Sequence, residues 1–320
     1  MKNPFTSVLK SELRAFLDYK RALGFRYERP EGTLRHFDRH VARTHRSGDR
    51  TPDLRHLIQS WLTQGQERKP ISVATDLGVI RQFCLHRRRN DPAGFVPGRE
   101  WFPQCLESQF IPHIFSEAEV RCILEEASSG PGSRRQRLGH RLLWLVLYCT
   151  GLRFGEVARL QVSDLDLRRR LLWVRESKGR TRLVPFGSDL TKEFRQYLSC
   201  RGITRLSSQA PLLLSYQGRR YSTKSISHIL RQWLRKIGLK PERGRTGPRP
   251  YDIRHTFAVH RLSRWYRQGR ELSGRLPWLS VYMGHANILG TETYLTTTPE
   301  LLAVVSRRFE TRFRKGGPLS

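Results

Sequence analysis

The sequence predicts a mainly α protein with a small β-hairpin or sheet (α+β), made of a small helical domain followed by a larger one. Three observations carry this. Apolar residues recur at helical spacing through roughly the first hundred residues. A Pro- and Gly-rich stretch from Asn90 to Pro112 then breaks the pattern. Beyond it the helical period returns, but it gives way between Leu171 and Pro185 to two short apolar runs around a charged, Gly-containing tip. The expected division is a helical domain over 1–105, a linker over 106–114 and a second domain over 115–320.

Taken in order, Ser7 to Leu23 carries Val8, Leu9, Leu13, Phe16, Leu17 and Leu23 close to one stripe, and Gly24 ends it. Similar stripes over Gly32 to Thr44, Leu54 to Gln64 and Val73 to Arg87 complete a bundle of about four helices. Phe95, Trp101 and Phe102 in the Pro/Gly stretch mark a segment that packs. Ser116 with Glu119 three residues on is a capping-box arrangement. Arg141 to Thr150 is an apolar helix closed by Gly151, and Gly155 to Leu160 continues helical. Leu171 to Arg175 and Arg182 to Pro185 are the hairpin strands. Helices are expected again from about Thr191, over Ser225 to Ile237, Ile253 to Gln268 and Leu279 to Met283. A last one spans Pro299 to Phe313, with Leu301, Leu302, Val305 and Phe309 on one side.

Charge narrows the function. Lys and Arg number 59 against 28 Asp and Glu, a formal net of +31. Such a chain repels itself unless a polyanion neutralises it, and nucleic acid is the usual partner. The five cysteines, at 84, 105, 122, 149 and 200, form no C-x-x-C pair. An odd, scattered set implies reduced thiols in a cytoplasmic protein and neither a disulfide frame nor a zinc site. No secretory apolar core opens the sequence, and the longest apolar run, Leu142 to Tyr148, is too short to cross a bilayer.

Five segments carry chemistry when read together: Thr150-Gly151-Leu152-Arg153 with Glu156; Lys178 on the hairpin tip; Tyr251-Asp252-Ile253-Arg254; Met283-Gly284-His285; and Tyr294, nine residues after His285. Each alone fits an ordinary ion pair, a solvated turn or a packed core side chain. In this order and spacing the set resembles the tyrosine recombinase (phage integrase) family, nearest to recombinases borne by transposons in multi-recombinase operons. The likeness runs nearly the whole chain. One departure stands in the H-x-x-R box, where Tyr251 replaces the His. A phenol keeps its proton at neutral pH, so this position can hydrogen-bond a phosphate but not act as an imidazole base.

The resemblance implies an N-terminal helical core-binding (SAM-like) domain and a C-terminal catalytic domain that together form a C-shaped clamp on double-stranded DNA. It implies that Tyr294 attacks phosphorus to give a 3′-phosphotyrosine. Arg153, Arg254 and His285 would hold the non-bridging oxygens, and Lys178 would protonate the leaving 5′ oxygen. Tyr251 would assist and Glu156 would buttress Arg153. No metal and no cofactor are expected; the sequence has no acidic metal motif and no P-loop. Arg180, Arg231, Arg235, Lys236 and Arg245 are candidate phosphate contacts. His255 is expected to pack, and its five-residue spacing from His260 does not suit a helical metal site. Expected partners are DNA, further copies of the chain (a dimer on a site, a tetramer in a synapse, with the last helix docking on a neighbour) and partner recombinases. The alternative is an accessory DNA-binding subunit, weak or inactive, beside a partner recombinase. A type IB topoisomerase shares the chemistry but fits the helical N-terminal domain and the placement of the boxes less well.

Overall fold

The computed structural model describes residues 5–45, 53–64, 68–104, 111–177, 180–202, 207–244, 246–272, 274–285 and 291. The chain forms two compact units, Met1–Gln109 and Phe110–Ser320. Tyr294, Lys178, Arg245, Cys105 and the expected last helix lie outside the described residues.

The first unit holds α1 (Lys10–Ala22), α2 (Glu28–Thr44), α3 (Leu54–Thr63) and α4 (Pro70–Arg87). Their apolar stripes meet in one core that includes Leu13, Phe16, Leu34, Phe37, Ile58, Trp61, Leu77, Ile80 and Phe83. Asp38 is buried there, and its carboxylate accepts from the main-chain N–H of Thr6 (2.7 Å) and Ser7 (3.1 Å). Those are donors that the entry to α1 would otherwise leave bare. Phe95, Val96, Trp101 and Phe102 pack against this core, so the Pro/Gly stretch up to there belongs to the first unit and is not a loose connector. Two helices begin earlier than their apolar stripes suggested. α2 starts at Glu28 and α4 at Pro70, because Pro is tolerated in a first helical turn, where the N–H lacks a partner anyway.

In the second unit, α5 (Glu117–Ser129) opens with the capping box of Ser116 and Glu119. α6 (Arg134–Thr150) begins seven residues before the expected start at Arg141. A second capping box, Ser133 with Gln136, starts it, and its first turns are too polar for periodicity alone to reveal. α7 (Phe154–Arg159) follows. The sheet then has three antiparallel strands in the order β1-β2-β3: β1 (Leu165–Asp166), β2 (Leu171–Ser177) and β3 (Arg180–Pro185). Both main strands run further into the tip than expected, and β1 was not foreseen. Leu172 pairs with Val184 and Val174 with Arg182 on the inner face, while Trp173 and Leu183 pair on the outer face.

The remaining helices among the described residues are α8 (Ser188–Cys200), α9 (Thr223–Lys236), α10 (Asp252–Arg267) and α11 (Leu276–Met283). α6 lies at the centre, contacting α5, α8 and α10. Its Leu142, Leu143, Val146 and Leu147 join Ile123, Val174, Val184, Phe194 and Leu230 in the main core. A second cluster joins Phe257, Ala258 and Leu262 of α10 to Leu276, Leu279 and Met283 of α11. This packing seats the end of α11 against the start of α10 and the turn after α6.

Candidate active site

The site is built around the C-terminus of α11. Gly284 adopts the left-handed conformation (φ 68°, ψ 46°) that closes a helix. Its N–H donates to Val281 O, and the N–H of His285 donates to Ser280 O, each at 3.0 Å. That pair of bonds is a Schellman turn, and it fixes His285 immediately past the helix. The next three carbonyls, of Tyr282, Met283 and Gly284, would still need donors. Three arginines from three other elements supply them.

Arg182 on β3 donates from Nε to Tyr282 O at 2.8 Å. Arg254 on α10 donates to Met283 O at 2.7 Å and to Gly151 O at 2.5 Å. Arg153, the residue preceding α7, donates to Gly284 O at 2.8 Å and to Met283 O at 3.4 Å. The helix end carries partial negative charge, so guanidinium groups are electrostatically favoured there. Gly151, in left-handed conformation at φ 60°, makes the tight turn that presents its carbonyl to Arg254.

Glu156 balances the charge. It is 3% exposed. Its Oε1 accepts from Arg153 at 2.9 Å and from Arg182 at 3.0 Å. Its Oε2 accepts from Arg182 and from the main-chain N–H of Arg153, both at 2.9 Å. A carboxylate this buried is tolerable because both oxygens carry charge-assisted bonds. His285 is oriented through Nδ1, which lies 2.7 Å from the Thr291 hydroxyl; Thr291 is fully buried.

Tyr251 precedes α10 and is 40% exposed. Its ring stands edge-on to Phe154, with centroids 5.6 Å apart, at the N-terminus of α7. It stands beside the residue that follows Arg153, one helical turn before Arg254. Burial pushes the His255 imidazole below its ordinary pKa, with Asp252 opposing that shift and Arg254 and Arg249 adding to it. His260 Nδ1 lies 3.0 Å from the Tyr148 hydroxyl.

Arg153, Glu156, Arg254 and His285 thus come together, with Tyr251 at the rim. Of the candidate phosphate contacts, Arg231 is exposed and Arg235 half-buried on α9, and they bond to the main-chain oxygens of Ser227 and Pro241. Lys236 pairs with Glu126 at 2.6 Å. Arg180 opens β3 and only its backbone is described. The sequence reading missed Arg182 and Thr291. A signal for Arg182 existed: strand alternation puts it on the inner face with Val184, where an apolar residue is expected. Nothing local marked Thr291.

A family model, the phage integrase family, matches residues 114–300. A protein of Sinorhizobium fredii described as an integrase/recombinase, y4rB, is 30% identical over 317 residues, covering 96% of this chain and 98% of that protein. Among solved structures, XerH site-specific recombinase bound to palindromic difH substrate aligns with a TM-score of 0.62 at 14% identity, covering 87% of this chain and 78% of that one. The Tn1549 transposon integrase in complex with transposon right end DNA aligns at 0.61 and 16% identity, covering 93% and 98%. At that identity the two structures speak to the fold, and the fold agrees with the sequence relatives. A family match across most of the second unit, and a relative matched along nearly the whole length, make this chain a member of the phage integrase family, the tyrosine recombinases.

Proposed function

We propose that this site-specific recombinase works on double-stranded DNA as follows. The Tyr294 hydroxyl gives up its proton to solvent and attacks a backbone phosphorus, a 3′-phosphotyrosine bond forms, and the bond to the 5′ oxygen breaks. Lys178 gives that oxygen its proton. Attack by a different 5′ hydroxyl reverses the step and joins the exchanged strand, returning the proton to tyrosine. Energy stored in the phosphotyrosine carries the rejoining.

The observation that carries this reading is the convergence of Arg153, Arg254 and His285 on the last turn of α11. Two fixed guanidinium groups and an imidazole, anchored before substrate arrives, suit the charge that builds on the non-bridging oxygens of a pentavalent phosphorus. Arginine serves this better than lysine because its planar fork stays charged and oriented. Tyr251, three residues before Arg254 and partly exposed, supplies one phenol donor to the same phosphate. Arg180, Arg231, Arg235 and Arg245 neutralise neighbouring phosphates, in keeping with the net charge of +31. Lys236, held by Glu126, contributes less than these. The helical first unit and the second would each contact the duplex, and copies of the chain would pair on one site and form a tetramer in the synapse. The setting we favour is a mobile element in the cytoplasm, with partner recombinases encoded beside this one.

The test is covalent trapping. The protein is incubated with a nicked suicide substrate spanning the ends of its own element, then denatured in SDS. A protein–DNA adduct that vanishes with Tyr294→Phe is the expected result. Tight DNA binding without an adduct, even with neighbouring recombinases added, would sink the reading.

A further inference from the structure

We propose that Arg182 is a positioning residue for strand cleavage, one that frees Arg153 for phosphate by neutralising Glu156 and links the hairpin to the turn bearing His285. This rests on the roles given above to Arg153, Lys178 and His285.

Arg182 faces inward on β3, opposite Val174, and its side chain is only 10% exposed. It places one N–H on each oxygen of Glu156, at 3.0 and 2.9 Å. Its remaining edge, Nε, holds Tyr282 O. All three contacts join elements distant in sequence: the hairpin, the start of α7 and the end of α11.

Two consequences follow from charge and connectivity. Glu156 is nearly fully buried, so its charge must be met by neighbours. With Arg182 gone, Arg153 would be its only guanidinium partner among the described contacts and would be drawn onto it more fully. The field at the phosphate would fall, since one of the cations beside the carboxylate would be gone. With Arg182 present, two cations face one carboxylate, and Arg153 spends a single side-chain N–H on it at 2.9 Å.

The second consequence is mechanical. Arg182 follows Lys178 by four residues along the hairpin. It grips the carbonyl of Tyr282, directly before the Met283 and Gly284 carbonyls that anchor Arg254 and Arg153. A shift of the hairpin is therefore passed to the turn that seats His285. Gly284 belongs to the same device, because a Cβ there would stand 2.7 Å from Arg182 Nη1.

The experiment uses the full chain and four forms: wild type, Arg182→Met, Arg182→Lys and the double variant Arg182→Met/Glu156→Gln. The rate of adduct formation is measured at saturating suicide substrate, DNA affinity by titration, and the ring resonances of His285 by NMR. Arg182→Met should slow adduct formation about tenfold or more, with affinity changed by less than about threefold. Arg182→Lys should recover little, because an ammonium does not bridge two carboxylate oxygens as a fork does. The double variant should cleave faster than Arg182→Met, because the uncompensated carboxylate is gone. The His285 resonances should move in Arg182→Met and Arg182→Lys.

Cleavage by Arg182→Met at the wild-type rate overturns the proposal, as does a double variant no faster than the single one. If Arg182→Met does not fold, Arg182→Lys decides on the same rate and resonances. A wild type that forms no adduct, while its His285 resonances still respond to Arg182, would refute the cleavage reading but leave the coupling standing. Resonances that do not respond would refute the coupling.

Discussion

Arg254 donates to the main-chain oxygen of Met283 at 2.7 Å from a residue that is 2% exposed. A guanidinium so deeply placed joins two helices before any substrate is present, since the same group also holds Gly151 O at the end of α6. Fold stability and the proposed phosphate chemistry would thereby be combined in one side chain.

Replacing Arg254 should therefore cost both. Arg254→Gln leaves at least one of two buried carbonyls without its donor, at about 1–3 kcal/mol for each. The thermal midpoint should fall by several degrees, and adduct formation by about a hundredfold or more. Arg254→Lys keeps the charge, so its midpoint should fall less while cleavage stays low. Calorimetry and the trapping assay check this together.

Gly151 has no room for a side chain. Its φ is 60°, and a Cβ would lie 2.4 Å from Phe257 Cδ1. Gly151→Ala should destabilise the protein by about 1–3 kcal/mol through overpacking, with left-handed strain added. Pairing it with Phe257→Leu should recover part of that loss in a denaturant titration. No recovery would mean that backbone strain dominates.

Tyr251 offers a graded test at the rim. Tyr251→Phe removes one proposed donor to the phosphate and should slow adduct formation roughly 10- to 100-fold, the worth of one hydrogen bond to a charged group. Tyr251→His restores an imidazole at the first position of the box and should exceed the phenylalanine variant. Because the side chain is 40% exposed, neither change should move the thermal midpoint by more than about two degrees.

The thiols should divide by burial. Burial pushes Cys84 up to about 12 and Cys149 up to about 11. Cys122 and Cys200 are exposed. A maleimide pulse at pH 7.5, followed by peptide mapping, should label Cys122 and Cys200 quickly and Cys84 and Cys149 only after unfolding. Rapid labelling of Cys84 in native protein would contradict the packing of α4.

Acid should weaken the second unit. Burial lowers the pKa of His140, which lies edge-on to Trp233 with ring centroids 5.5 Å apart. The folded state therefore binds this proton less readily than the unfolded chain does. Stability is full above the unfolded value near 6.5 and falls as the pH drops through the folded one. His140→Gln should flatten the decline in thermal midpoint between about pH 7 and pH 5 relative to wild type. An unchanged slope would assign the effect to other groups, with His255, also lowered by burial, the next to replace.

Much of the fold is local in origin, and that part could be read. The stripes of α1 and α3, the capping box at Ser116 and the glycine stop at Gly151 each encode a helix or its end within a few residues. The same holds for the candidate site residues. Arg153 follows a helix-ending glycine, Arg254 sits in the first turn of a helix and His285 follows a left-handed glycine. Polar first turns hid the start of α6, and a two-residue β1 is too short to show a period.

By itself, then, the sequence determined the helical and hairpin elements, their order, the excess positive charge and the candidate site residues. Tertiary structure alone decided how they combine. Arg182 meets Glu156 across 26 positions, and Arg153 meets Gly284 across 131. Such pairs leave no trace in a local pattern, because they depend on which faces of α6, α10 and α11 bury each other. Packing of those faces turns the end of one helix into the acceptor for three arginines, and no window of sequence contains that arrangement.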